Sequence, residues 1–140
     1  MKTEIITMCG STRFVDLMAC ISWEYEKLGK IVLRVNFLPD WYVQKDGWIE
    51  STHGAEQTRL KKEFDELHCR KIDLSDKVFI CNYNGYIGES TNNEIEYAKR
   101  IGKPIFYLEL GKIDKEIHDT AKKLARWWTD AILTTKKKNQ

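Results

Sequence analysis

The chain alternates short apolar runs with helix-period segments, and that alternation narrows its fold more than any other feature. Glu4 to Cys9 (EIITMC) is an apolar run closed by Gly10. Ser11 or Thr12 then caps a segment in which Phe14, Met18, Ile21, Tyr25 and Leu28 fall at i, i+4, i+7, i+11 and i+14. That spacing lines one helix face with apolar groups, and Gly29 supplies the stop. Ile31 to Val35 is the next strand. A strand, a helix and a second strand with tight connections form a βαβ unit, which requires parallel strands and a right-handed crossover. The pattern recurs in Lys77 to Tyr83, Thr91 to Ile101 and Ile105 to Glu109. A final helix is marked by Ile113, Ile117, Ala121, Leu124, Trp128 and Ile132. The expected fold is therefore α/β, a single-domain doubly wound parallel sheet with about four to five strands flanked by helices. The domain is expected over residues 1–135, with a basic tail at 136–140.

Two segments carry weaker patterns. Asn36 to Thr52 has no sustained period but holds Pro39, Trp41, Tyr42, Gly47 and Trp48. It is expected to be a loop at the carboxyl edge of the sheet, with Trp41 and Trp48 stacked on a flat ligand or pinning the loop to the body or to a second subunit. Ala55 to Lys71 is expected to be a polar helix whose inward face carries Leu60, Phe64 and Leu67, with His68 beside Phe64.

Composition excludes several classes of function. Charged residues are 31% and the net charge is only +2, the balance of an ordinary protein rather than a nucleic-acid binder. No apolar run approaches the length of a membrane span, and no charged-then-apolar leader opens the chain, so a cytoplasmic protein is expected. Cys9, Cys20, Cys69 and Cys81 form no CxxC pair and are expected to be reduced.

The chemistry is expected where the loops after the first and third strands meet, Cys9-Gly10-Ser11-Thr12-Arg13 and Asn84 to Asn93. Gly10, Gly85 and Gly88 permit close backbone approach. Ser11, Thr12, Ser90 and Thr91 supply hydroxyls, Arg13 adds a positive charge, and each loop leads into a helix start that favours an anion. There is no GxGxxG, GxxxxGK[ST] or GxSxG, and His53, His68 and His118 have no metal-ligand spacing. No metal and no cofactor are expected. What remains is carboxylate chemistry. Glu94, near the start of the third helix, is suited to attack an anomeric carbon and form a glycosyl intermediate. His68, Asp73 and Glu89 are candidates to help the base leave. The competing reading is that Thr91-Asn92-Asn93-Glu94 is a capping box, in which Glu94 only completes a helix end.

At these residues the chain resembles the nucleoside 2-deoxyribosyltransferase-like superfamily. The resemblance rests on CGSTRF, HCRKIDLSDKVFI and GYIGESTNNEIEYAKRIGKPIFYLE, and covers Ile5 to about Leu110. The superfamily's GT-x-x-E-x-GYA-x(3)-GKP signature falls on Ser90, Thr91, Glu94, Tyr97, Ala98, Gly102, Lys103 and Pro104. The resemblance implies a Rossmann-like sheet of flavodoxin type and an oligomeric enzyme of nucleosides or nucleotides with Glu94 as nucleophile. By similarity to the 2′-deoxynucleoside 5′-monophosphate hydrolases, it also implies Ser90 as a phosphate ligand helped by Ser11 and Thr12. The chain departs from the pattern at Ser90 and Glu96, where the signature has glycine. Gly88 and His68 stand where the transferases place aspartates. These departures favour hydrolysis over transfer between bases and leave open a noncatalytic nucleotide-binding role.

Overall fold

The computed structural model describes residues 2–39, 41–42 and 60–138, with side chains to residue 135. Its sheet has four parallel strands: β1 (Ile5–Gly10), β2 (Ile31–Leu33), β3 (Lys77–Cys81) and β4 (Ile105–Tyr107), in the order β2-β1-β3-β4. Helices α1 (Val15–Lys27), α2 (Lys61–Leu74), α3 (Glu89–Arg100) and α4 (His118–Lys138) flank it. The expected α/β architecture is the observed one. None of the described helices is long and apolar enough to cross a membrane.

Strand alternation divides the core. Ile6, Met8, Phe79 and Cys81 point to one face, where α1 and α4 cover them with Leu17, Met18, Ile21, Tyr25, Ile117, Ala121 and Ala125. Cys9, Val78 and Ile80 point to the other, against Ile72 of α2 and Ile95 and Ala98 of α3. The period of two therefore sends Met8 and Cys9 into different halves of the protein. Gly10 ends β1 where there is no room for a side chain: a Cβ would lie 2.8 Å from Met18 Sδ and 3.2 Å from Cys81 Cβ. Asp76, just before β3, accepts the Ile5 backbone N–H at 2.7 Å and so ties the starts of β3 and β1.

Several boundaries differ from the sequence reading. The second, third and fourth strands are shorter than expected, and a 3-10 turn (Tyr83–Gly85) follows β3. Within α1 the stripe holds from Phe14 to Tyr25, but Leu28 lies outside it and is exposed. In α2 the inward residues are His68 and Ile72, while Leu60, Phe64 and Leu67 are exposed. His68 reaches Cys9, the penultimate residue of β1, so the turn carrying Phe64 overhangs the end of the sheet. Leu67 lies on another side of the helix. The part of the expected helix before Leu60, like Trp48 and most of the expected loop, lies outside the described residues.

The capping box is also corrected. Helix α3 starts at Glu89 with Gly88 as its N-cap, so Thr91 is a buried residue of the first turn and Glu94 lies in the second turn. Glu94 is too far along the helix to reach back to the cap.

Candidate active site

Strand order reverses between β1 and β3, where β1 leads through α1 to β2 on one side and β2 leads through α2 to β3 on the other. In open parallel sheets the carboxyl edge at such a point is where ligands bind. Three elements deliver one side chain each to it. Cys9 comes from the last turn of pleat in β1, His68 from the middle of α2 and Glu94 from the second turn of α3. Cys9 Sγ lies 3.3 Å from His68 Nε2. The same nitrogen lies 3.6 Å from Glu94 Oε2. Cys9 and His68 are 1% and 2% exposed, and the Glu94 side chain 14%. Beside them is a cavity lined also by Met8, Gly10, Met18, Arg34, Val35 and Phe37.

Burial governs the electrostatics. It lifts the Glu94 carboxyl to about 7, with Asp65 adding to the rise and the Cys9 thiol and Lys61 opposing it. It lowers His68 to about 4, aided by Lys71 and opposed by Asp65. It raises the Cys9 thiol well above the ordinary range, and the Glu94 charge raises it further. At neutral pH the thiol and imidazole are thus uncharged and the carboxyl is divided between its two forms. A buried imidazolium–carboxylate pair would need its mutual attraction to exceed the loss of hydration of both ions, and here desolvation dominates. His68 Nδ1 is buried and has no hydrogen-bond partner among the described residues.

Of the residues singled out in the sequence, the structure brings Cys9, His68 and Glu94 together and puts Gly10 in the cavity wall. Cys9 contributes its thiol, a role the sequence reading did not give it. Ser11 is a cap, its hydroxyl accepting the Arg13 N–H at 3.3 Å, and Thr12 opens a 3-10 turn. Arg13 crosses to the other loop, where its guanidinium carbon lies 3.8 Å from the Tyr86 ring centre and Nη2 donates to the Tyr86 hydroxyl at 3.1 Å. Asn84 and Gly85 form a turn with φ of 55° and 77°. Gly88 and Glu89 begin α3, and Ser90 accepts a 2.9 Å hydrogen bond from Lys61 Nζ. Asp73 is not brought to Glu94: it sits in the last turn of α2, held by Arg70 Nε at 2.8 Å and by the Tyr97 hydroxyl. Trp41 is 74% exposed and stands edge-on to Tyr42. Trp48 lies outside the described residues.

Arg34 and Phe37 went unnoticed in the sequence. Both follow β2 at the same carboxyl edge: Phe37 lies within the loop expected there but was passed over for its tryptophans, and Arg34 was read as part of a strand that ends at Leu33. Asp65 and Lys61 had no such signal; they matter because α2 aims its first turns at this edge.

Among the described residues, the ligand atoms of Cys9, His68 and Glu94 lie within 4.8 Å of one another and form a set able to hold a metal ion. Comparisons with family models, curated proteins and solved structures find no match for this chain. Fold and cluster together define a parallel α/β protein with a buried carboxyl, imidazole and thiol at its switch point.

Proposed function

We propose that this chain is an N-glycosidic-bond enzyme acting on nucleosides or nucleoside 5′-monophosphates, with Glu94 as its nucleophile. The observation that carries the reading is the position of Glu94: largely buried, at the switch point, facing His68 and freed from any capping duty. A carboxylate that is poorly hydrated and fixed in place is a stronger nucleophile than one in water. In its ionised form Glu94 attacks the anomeric carbon, the bond to the base breaks, and a glycosyl ester forms. The base takes a proton from solvent as it leaves. Water then attacks the ester carbon, its proton passes to a base, and the Glu94 carboxylate is regenerated. Neutral His68, in its Nδ1–H tautomer, is placed to accept that proton at Nε2, which faces Glu94, and to release it to solvent before the next turnover. Asp73, held by Arg70 and Tyr97, has no part in this scheme.

Hydrolysis is preferred to transfer because Gly88 and His68 leave the site without the carboxylates that the resembling transferases carry there. For a monophosphate, the start of α3, Ser90 and Lys61 offer donors to the phosphate. The rival reading is a module that binds a nucleotide without turning it over; the burial of Glu94, which favours its protonated and non-nucleophilic form, is the feature in its favour.

The test is release of free base from a panel of nucleosides and nucleotides. Release by the wild-type chain and none by a folded Glu94→Gln variant supports the enzyme. No release from any substrate, with ligand binding kept by the variant, supports the binding module. Ser90→Ala is expected to weaken binding of a 5′-monophosphate more than of the matching nucleoside; equal losses remove the phosphate assignment.

A further inference from the structure

We propose that Cys9, His68 and Glu94 form a binding site for a soft divalent cation of the zinc class, and that occupation of this site blocks the reaction assigned to Glu94. The binding itself stands on geometry, whereas the block rests on the glycosidase reading.

Two of the three donor separations suit the ion directly, and all three donor atoms lie within 4.8 Å of one another. Zinc bonds of about 2.0–2.3 Å at tetrahedral angles separate neighbouring donor atoms by about 3.3–3.6 Å. The cluster has 3.3 Å between Cys9 Sγ and His68 Nε2, and 3.6 Å between His68 Nε2 and Glu94 Oε2. Thiolate, imidazole and carboxylate are the donors zinc takes most often. They come from three elements packed on one face of the sheet, so the ligands are positioned by the fold rather than by a mobile loop.

The arrangement also excludes a more familiar use of the same residue types. In a thiol–histidine–carboxylate relay the nucleophile and the carboxylate engage opposite nitrogens of the ring, one holding the imidazole while the other delivers a proton. Here both partners face Nε2, and Nδ1 has none among the described residues. Donors gathered at one ring nitrogen suit a cation better than a relay. The thiol is almost wholly covered, which further disfavours it as a nucleophile.

Three protein ligands leave one tetrahedral position, which the adjoining cavity can supply with water or a ligand. On binding, the ion displaces the thiol proton of Cys9 and the carboxyl proton of Glu94 where present, and both pass to solvent. Because Nδ1 has, among the described residues, no carboxylate or carbonyl partner of the kind that supports most zinc-bound imidazoles, the affinity is expected to be about 10- to 100-fold below that of a fully supported site. A reversible, regulatory occupancy fits this better than a permanent structural ion.

The experiment uses tag-free, chelator-stripped chain with zinc or cobalt(II) alone. Equilibrium dialysis is expected to give one zinc per chain, and cobalt(II) a near-ultraviolet sulfur-to-cobalt charge-transfer band. Cys9→Ser should abolish that band, and Glu94→Gln should weaken zinc binding at least about tenfold. Cys20→Ser, at an exposed cysteine, should change neither. Circular dichroism checks each fold, and if Cys9→Ser does not fold, the near-isosteric Glu94→Gln variant decides. Absence of stoichiometric zinc, a band that survives Cys9→Ser, or zinc affinity unchanged in Glu94→Gln overturns the site. Base release should fall with the same zinc midpoint and return on adding chelator. A chain that binds zinc but releases no base keeps the site and loses the glycosidase reading; an active chain that ignores zinc does the reverse.

Discussion

Glu94 Oε2 and His68 Nε2 lie 3.6 Å apart in a buried setting that discharges them both, raising the acid and lowering the base. The pair therefore acts on stability in opposite directions as pH changes. Glu94, raised from 4.5 to about 7, contributes stability that is complete below pH 4.5 and lost as pH rises through 7. His68, lowered from 6.5 to about 4, contributes stability that is complete above pH 6.5 and lost as pH falls through 4. Each amounts to about 3 kcal/mol. Between pH 4.5 and 6.5 the two slopes cancel. Urea melts of chelator-treated protein should show a near-flat wild-type profile from this pair. Stability of Glu94→Gln should rise with pH over this range, and that of His68→Asn should fall. Parallel profiles for all three would refute the opposed shifts.

The same carboxyl sets the expected pH–rate profile. On the proposed glycosidase reading, attack requires the ionised form, so base release should climb with pH and level off above about 7. Glu94→Gln should lower kcat by about a thousandfold or more, the loss of a covalent step rather than of binding. His68→Asn leaves Glu94 in place and should lower kcat by about 10²-fold while altering KM little. Initial rates across pH 5 to 9 check all three expectations, and a profile flat through pH 7 would detach the rate from Glu94.

The fold was legible because strand runs and helix spacing act locally. Ile6, Met8, Phe79 and Cys81 had to alternate with Thr7, Cys9, Val78 and Ile80, and the βαβ rule then left few topologies. What escaped was where each helix stops touching the sheet. The spacing of Leu60, Phe64 and Leu67 suggested an inward face, but the end of β1 decides which turn of α2 is covered, and it covers His68 and Ile72. Similarly, Thr91 to Glu94 has the composition of a capping box, yet α3 begins a turn earlier at a residue with no capping side chain. Glu94 was singled out because no nucleotide, metal or hydrolase motif was present and a carboxylate near the start of the third helix remained, at the glutamate of the signature that the chain resembles. The meeting of Cys9 with His68 across 59 positions of sequence had no local signal.

A second charged cluster, at the opposite edge of the sheet, is structural. Lys77 Nζ lies 2.6 Å from Asp114 Oδ2 and 3.1 Å from Glu4 Oε1, and the Tyr25 hydroxyl donates to Asp114 at 2.6 Å. Burial pushes the Asp114 carboxyl up, but the hydrogen bonds from Lys77 and Tyr25 outweigh it and hold the group below its ordinary value. Asp114→Ala leaves Lys77 nearly buried with only the more exposed Glu4, and should cost about 3 kcal/mol. Tyr25→Phe removes one hydrogen bond to a charged group and should cost about 2 kcal/mol. Denaturant midpoints measure both, and losses under a few tenths would show that the network adds nothing.

Gly10 illustrates the difference between a residue near a ligand and one required by packing. A methyl at this position would press on Met18 Sδ at 2.8 Å and on Cys81. Gly10→Ala should destabilise the chain by about 1–3 kcal/mol through overpacking. Met18 is flexible and is the nearer obstacle, so Met18→Ala in the same chain should recover part of that loss beyond additivity. A thermodynamic cycle of the two variants reads this coupling directly. Additive losses would place the cost in the backbone of β3 instead.

Gly88 offers the most informative gain of function. It caps α3 in extended backbone, with φ of −79° and ψ of 175°, and a Cβ would meet the Tyr86 hydroxyl at an ordinary 3.5 Å. Nothing in this geometry demands glycine. An aspartate at an N-cap accepts a hydrogen bond from a free backbone N–H of the first turn and interacts favourably with the helix dipole. Gly88→Asp should therefore fold and raise stability by about a few tenths to 1 kcal/mol. On the proposed glycosidase reading it also places a carboxylate six residues before Glu94, the position at which the transferase pattern expected from the sequence has one. On the glycosidase reading, the variant incubated with a deoxynucleoside and a second base should form more exchanged nucleoside, relative to free sugar, than the wild type. A stable variant with an unchanged product ratio would show that the missing aspartate is not what separates hydrolysis from transfer in this site.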